Sequence, residues 1–255
     1  MNDLYDRSPT LARRALRVLG WGFGGGLVVT VLGVAGHNLV EGEAFRVQRV
    51  VFDGTSHATE TELRHLADIP TDAHLFEVDL GLAVRGMETH PWVKQATATR
   101  SFPGTVEVLV EEYEPVLLLA LDQLWYVDAD GTPFKRARSN DMDYPVLTGI
   151  NHDLVTDRAE VGRAQLWGAL RILAAFEQTD FVSVDEISEV HLDRWHGYEV
   201  VLRSGTRLVL GNQEPTPRLA RLERLLESGL NLERPQRIDL DVETVAIASP
   251  LSRSR

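Results

Sequence analysis

A polar segment bearing Arg7, Arg13, Arg14 and Arg17 opens the chain, and from Val18 to Val40 there is then no Asp, Glu, Lys or Arg. A helix over that stretch, at 1.5 Å per residue, extends about 34 Å, enough for a hydrocarbon core of about 30 Å. The pattern predicts a cytoplasmic tail at 1–17 and a transmembrane helix at 18–40. Arginines before the stretch and Glu41 and Glu43 after it orient the N-terminus inward and the remainder outward. A cleaved secretory signal competes with this reading, since Val34 and Gly36 offer small residues at a cleavage point. The apolar run exceeds the 7 to 15 residues of a signal, which favours an uncleaved type II anchor. Gly20 with Gly24, and Gly22 with Gly26, have the small-xxx-small spacing that lets a second helix approach, although glycine lowers helix propensity.

Beyond the anchor, 45–115 forms one pattern. Phe45 to Phe52 is rich in β-branched and aromatic residues and ends at Asp53-Gly54, a turn pair, so a strand is expected. Thr59 and Glu62 have capping-box spacing ahead of Leu63, Leu66 and Ala67. Asp79 caps a second expected helix with Leu80, Ala83, Val84 and Met87 on its apolar face, and Pro91 stops it. Two strands follow, within Trp92–Arg100 and over Thr105–Tyr113, where Val106, Val108 and Val110 alternate with polar residues. The order is β-α-α-β-β.

A second unit is expected over 116–249, followed by a short tail at 250–255. Val116–Leu121 and Leu124–Val127 read as strands around the turn at Asp128-Ala-Asp-Gly131. Arg158–Gln178 has helical spacing of Val161, Ala164, Leu166, Leu170, Leu173 and Ala174. Ile187–Leu192, Tyr198–Leu202 and Thr206–Leu210 predict an antiparallel meander. Thr216-Pro217 reads as the cap and first residue of a helix with a stripe of Leu219, Leu222, Leu225 and Leu226 and with Arg218, Arg221 and Arg224 on its other side. A last strand is expected from Arg237 to about Ile247, where Ile238, Leu240 and Val242 alternate with Asp239, Asp241 and Glu243. Little chain follows it, so it is expected at a sheet edge, where unpaired backbone groups are a template for a strand from another chain. The fold class is thus α+β: a single N-terminal transmembrane helix, the β-α-α-β-β unit, and a mixed β domain with antiparallel sheet and flanking helices.

A formal net charge of −12 argues against nucleic-acid binding, because phosphate recognition requires the opposite sign. With no cysteine, disulfides, thiolate metal sites and Cys nucleophiles are excluded together. Asp128-Ala-Asp-Gly131 begins like a calcium loop, but Pro133 breaks it and position 139 is Ser, so a hairpin turn is expected. His191, Asp193 and His196 form the only close group of ligand-capable side chains, and alternation puts His196 at a turn away from the other two. Glu111-Glu112 and Asp239-Asp241 read as solvated strand faces rather than glycosidase carboxylates. No nucleophile elbow, zinc-protease motif or phosphate loop occurs, and no catalytic residue, metal, cofactor or small-molecule substrate is expected.

The sequence resembles the FtsQ/DivIB family of cell-division proteins, whose first extracytoplasmic unit is a POTRA domain. The resemblance is carried by Phe45, Val47, Val50, Gly54, Leu75-Phe76, Val78-Asp79, Pro91-Trp92-Val93, Arg100, Phe102-Pro103, Val106–Val110 and Glu114-Pro115. It continues through Val127–Gly131, Tyr144–Gly149, Leu208–Gly211 and Arg237–Leu240. It implies a non-enzymatic division scaffold in the inner membrane at the septum, linking early and late septal proteins. Its POTRA unit at 45–115 contacts other division components, and its β domain receives an FtsB/FtsL-type partner by strand addition. Asp241, Val242, Glu243, Thr244, Val245 and Ile247 are the expected binding edge, with Arg194, Arg218 and Arg221 expected to pair with acidic partner residues. Members commonly carry Arg-Tyr after Asp-Leu on that strand, whereas this chain has Asp241-Val242, which reverses one charge and removes one aromatic ring. Two rival readings are a periplasmic POTRA chaperone of envelope assembly and a membrane-anchored cell-wall hydrolase.

Overall fold

The structure is a computed structural model that describes residues 29–33, 45–138, 143–150, 159–242 and 247–250. Of the expected span at 18–40, residues 29–33 are helical and exposed, and the rest lies outside the described residues. Among the described residues no helix is long and apolar enough to cross a membrane. The chain divides into two compact units between Glu111 and Glu112.

In the first unit a three-stranded sheet is ordered β1-β3-β2, from β1 (Arg49–Asp53), β2 (Val93–Ser101) and β3 (Thr105–Glu112), with β1 parallel to β3. Helices α1 (Glu60–Ala67) and α2 (Leu80–Met87) connect β1 to β2, which gives the expected order. Both starts are set locally. The Thr59 hydroxyl accepts the Glu62 N–H while the Glu62 carboxylate accepts the Thr59 N–H, and the Asp79 carboxylate accepts the Leu82 N–H at 3.0 Å. The Glu62 carboxyl is held below its ordinary pKa first by the Thr59 hydroxyl, which donates to it at 2.6 Å, and then by the Thr59 N–H. Val106, Val108 and Val110 turn inward onto Leu63, Leu75, Ala83 and Met87. Each large apolar side chain removed from water contributes about 1.5–3 kcal/mol. The two helices cross closely at Gly86, where a Cβ would stand 2.1 Å from the Leu66 carbonyl oxygen. Arg100 donates to the carbonyls of Leu75 and Val78 at 2.8 and 2.7 Å, which satisfies the loop between the helices.

The second unit is one nine-stranded sheet ordered β12-β11-β10-β9-β8-β7-β4-β5-β6. Its strands are β4 (Pro115–Ala120), β5 (Leu124–Asp128), β6 (Pro133–Arg136), β7 (Val146–Thr148), β8 (Ile187–Asp193), β9 (Gly197–Leu202), β10 (Arg207–Gly211), β11 (Gln236–Asp239) and β12 (Ile247–Pro250). β8, β9 and β10 are the expected antiparallel meander, but β4/β7, β7/β8 and β10/β11 pair in parallel. The crossovers that parallel pairing requires carry helices α3 (Ala159–Glu177), between β7 and β8, and α4 (Thr216–Glu227), between β10 and β11. Leu166, Leu170, Leu173 and Phe176 of α3, with Leu219 and Leu222 of α4, meet Leu147, Val190, Val200, Leu208 and Ile238 in one core. Tyr198 donates to the Gln165 carbonyl of α3 at 2.7 Å, and burial raises its pKa. Alternation turns Glu199 to the opposite face, where Arg237 and Arg207 lie 3.0 and 3.8 Å from its carboxylate.

Two local expectations change. Helix α4 begins at Thr216 behind Pro215, and no side chain caps it. The strand expected to run unbroken from Arg237 to Ile247 stops at Asp239; the chain bends at Asp241 and Val242, and Ile247–Pro250 returns antiparallel to β11. β11 is therefore interior, and among the described residues β12 takes the edge.

Candidate functional site: a sheet edge and its arginine clamp

The bend after β11 begins with the Leu240 N–H donating to the Val209 carbonyl at 2.9 Å, the last link to β10. The Asp239 carboxylate then accepts the Asp241 N–H at 3.0 Å, an Asx turn that redirects the backbone. Helix α4 holds the bend from one side. Arg221 donates to the Leu240 carbonyl at 2.9 Å and to the Val242 carbonyl, and Arg218 donates to the Asp241 carboxylate at 2.9 Å and to the Glu214 carbonyl at 3.2 Å. Arg218 and Arg221 are spaced by three residues, so they project from one face of the helix. Arg218 is only 8% exposed, and its Nε is buried without a hydrogen-bond partner among the described residues. Asp241 also lies against Gly211, where a Cβ would come 2.3 Å from its carboxylate, at φ +76°.

The same end of the sheet carries the β8–β9 hairpin tip. Its turn is held by the Asp193 carboxylate, which accepts the N–H groups of Trp195 and His196 at 2.7 and 2.8 Å and lies 2.9 Å from His196 Nδ1. The two backbone bonds, from His196 and then Trp195, lower the Asp193 pKa to about 2. Arg194 and Trp195 point outward from this turn, and Trp195 is 81% exposed. Gly197 closes the tip so tightly that a Cβ would meet the Gly211 backbone at 2.5 Å. Arg194, Arg218, Arg221, Asp241 and Val242 thus gather at one end of the sheet. Ile247 begins β12 opposite Asp239, while Glu243, Thr244 and Val245 lie outside the described residues.

β12 has a defined hydrogen-bonding side. Because Leu240 donates to β10, alternation sends the backbone groups of Ile238 toward β10 and those of Arg237 and Asp239 toward β12. Their partners Ser249 and Ile247 face back, which leaves the N–H and C=O of Ala248 on the outer side. Pro250 shares the outward parity and contributes no N–H, so it shortens the open edge.

Other side-chain groups are engaged internally. His191 Nδ1 and the Glu189 carboxylate lie 2.6 and 2.5 Å from the Thr148 hydroxyl, whereas His196 Nδ1 lies against Asp193. The Asp128 carboxylate accepts the Thr132 N–H at 2.7 Å within its hairpin turn. Among the described residues no three His, Asp or Glu side chains are placed to share a metal ion.

Residues 45–113 match the POTRA domain of FtsQ type, and residues 119–241 match the C-terminal region of the cell division protein FtsQ/DivIB. The chain is similar to the cell division protein FtsQ of Myxococcus fulvus, 32% identical over 213 residues that cover 83% of this chain and 75% of that protein. This chain belongs to the FtsQ/DivIB family of cell division proteins. FtsQ of Syntrophotalea carbinolica is 30% identical over 202 residues, 78% of this chain and 72% of that protein, and FtsQ of Anaeromyxobacter sp. strain K is 33% identical over 187 residues, 73% and 64%. The C-terminal match ends at residue 241, at the bend itself, so β12 lies beyond the matched segment. Sequence alternation ran one strand from Arg237 to about Ile247 and missed the return strand. Pro250 was its one legible sign, a proline of the kind that edge strands tolerate.

Proposed function

We propose that this FtsQ/DivIB-family chain is a non-catalytic scaffold of the division machinery, anchored once in the cytoplasmic membrane through 18–40 with its bulk outside. Its POTRA unit contacts other division components, and its β domain binds an FtsB/FtsL-type partner by strand addition. The observation that carries this reading is the position of β12 at the end of the nine-stranded sheet, with the backbone of Ala248 turned outward. A strand laid along that side gains backbone hydrogen bonds, each worth about 1 kcal/mol net, while flanking side chains select the partner. Asp241, Val242, Glu243, Thr244 and Val245 precede this edge in the chain and Ile247 begins it, while Arg194 and Trp195 lie at the same end of the sheet on the β8–β9 turn. Arg218 and Arg221 act from within, fixing the bend from which β12 departs, rather than as free cations for the partner. Among the described residues, this end of the sheet offers contact surfaces rather than convergent acid and base groups in a cleft.

The test is depletion of the protein in its host with rescue by an intact copy or by Ala248→Pro, which deletes an outward donor and leaves the bonds to β11 in place. Filamentation on depletion, with division restored by the intact copy alone at equal protein level, supports the reading. Normal division without the protein refutes the scaffold role, and full rescue by Ala248→Pro refutes the edge.

A further inference from the structure

The POTRA unit carries an exposed aromatic patch that its fold does not use. Phe45, Phe76 and Phe102 form a triangle with ring centroids 5.6 to 6.1 Å apart, and His74 stacks on Phe76 at 5.6 Å. The core of the unit lies elsewhere, on Leu63, Leu75, Met87 and the inward valines. Phe76 and Phe102 remain 49% and 61% exposed, although three phenylalanines clustered in a core would be covered. The three rings come from three segments distant in sequence, and the pairing of Arg46 with His74 and the bonds from Arg100 to Leu75 and Val78 fix two of them to the sheet. The patch is therefore presented on a rigid base.

Its place in the chain indicates what covers it. Phe45 is the residue at which the chain enters the unit, and the charge-free stretch that ends at Val40 lies only five steps before it. Those steps reach at most about 18 Å when fully extended. We infer that Phe45, Phe76 and Phe102 insert into the headgroup layer of the membrane that holds the anchor, as a second, interfacial attachment that fixes the orientation of the POTRA unit. Aromatic rings favour that layer, and an apolar face sinks about 5–10 Å into it. The net charge of −12 gives the chain no general attraction to anionic lipid, so apolar contact carries the insertion. Arg46, exposed beside the patch and donating to the Asp72 carbonyl at 2.7 Å, supplies a cation at headgroup level. This inference rests on the reading of 18–40 as a membrane span.

The absence of cysteine permits a direct test, because one introduced cysteine is a unique attachment point. The full chain is reconstituted into phosphatidylcholine vesicles with a nitroxide label at Phe102→Cys, and in a second sample at Glu60→Cys at the start of α1. Flotation and carbonate resistance are measured first, then collision of each label with oxygen, which concentrates in lipid, and with a water-soluble nickel chelate. The expected result is a chain that floats and resists carbonate, with a severalfold higher oxygen-to-nickel ratio at position 102 than at position 60. A chain that floats while both labels meet nickel equally overturns the inference and leaves the span intact. A label at position 102 that meets neither quencher shows a protein cover and also overturns it. A chain that fails to float refutes the span, and the inference falls with it. Phe76→Ser in the Phe102→Cys background gives a further check: lost insertion lowers the ratio at position 102 without changing flotation.

Discussion

The pairing of Arg218 with Asp241 makes an asymmetric prediction. Arg218 is nearly buried, keeps one nitrogen unsatisfied, and depends on Asp241 and the Glu214 carbonyl for its remaining polar contacts. The Asp241 side chain is 44% exposed and regains water if its partner is removed. Arg218→Met keeps the apolar stem, removes a desolvated guanidinium with its orphaned Nε, and costs about 1 kcal/mol or less, since half-exposed pairs contribute little. Asp241→Ala leaves the guanidinium buried without its counter-charge. The penalty for an unpaired buried charge is about 3–5 kcal/mol, reduced to about 2–3 here because the Glu214 carbonyl still accepts from Arg218. At about 2–4 °C per kcal/mol, Asp241→Ala lowers the melting temperature of the β domain by about 5–10 °C and Arg218→Met by about 4 °C at most. The double variant recovers most of the Asp241→Ala loss. Thermal melts of the reconstituted full chain, followed by tryptophan emission, measure all three. An Arg218→Met loss as large as that of Asp241→Ala, or a double variant no better than Asp241→Ala, would refute the assignment of the cost to an uncompensated guanidinium.

Three further predictions follow from the local geometry. Folding lowers the Asp193 pKa to about 2 from its ordinary 3.8, so its contribution is complete above the ordinary value and is lost as pH falls through the folded one. A carboxyl titration followed by NMR gives a midpoint near 2 in the intact chain, and a midpoint near 4 contradicts the capped turn. Gly86→Val drives side-chain atoms into the Leu66 carbonyl and costs the POTRA unit about 1–3 kcal/mol, read as a lowered denaturation midpoint, whereas Gly33→Val, with nothing within 4 Å of its Cβ position, leaves that midpoint unchanged. Thr59→Ala removes the acceptor for Glu62 N–H and lowers POTRA stability by about 1 kcal/mol in the same melt, while Thr59→Ser preserves it.

The parts that sequence made legible are those governed by neighbours in the chain. Thr59 with Glu62 and Asp79 with Leu82 set helix starts within three residues, and Val106, Val108 and Val110 report their buried face by alternation alone. What sequence did not show depends on distant partners. The apolar-polar alternation of Ile238, Leu240 and Val242 continues past the true end of β11, because the bend is made by Asp239 accepting from Asp241 and by arginines from a helix about 20 residues earlier. The burial of Arg218 has the same origin: helical spacing marks its face as polar, and only the return of Asp241 beneath α4 reveals that face as covered. The parallel pairs that place β7 between β4 and β8 are likewise invisible to periodicity, which records which face is buried and not which strand lies alongside. Phe76 and Phe102 read as part of a family pattern, and their meeting with Phe45 required the fold.

The backbone amide of Ala248 reports strand addition at β12 directly. Hydrogen exchange at that amide is measured in the reconstituted full chain before and after addition of the purified FtsB/FtsL-type pair. The expected result is fast exchange at this outward-facing amide in the free chain, slowed at least about tenfold in the complex, as one hydrogen bond of about 1.4 kcal/mol would produce. Binding of the pair with exchange at Ala248 unchanged would contradict it and place the partner elsewhere on the β domain.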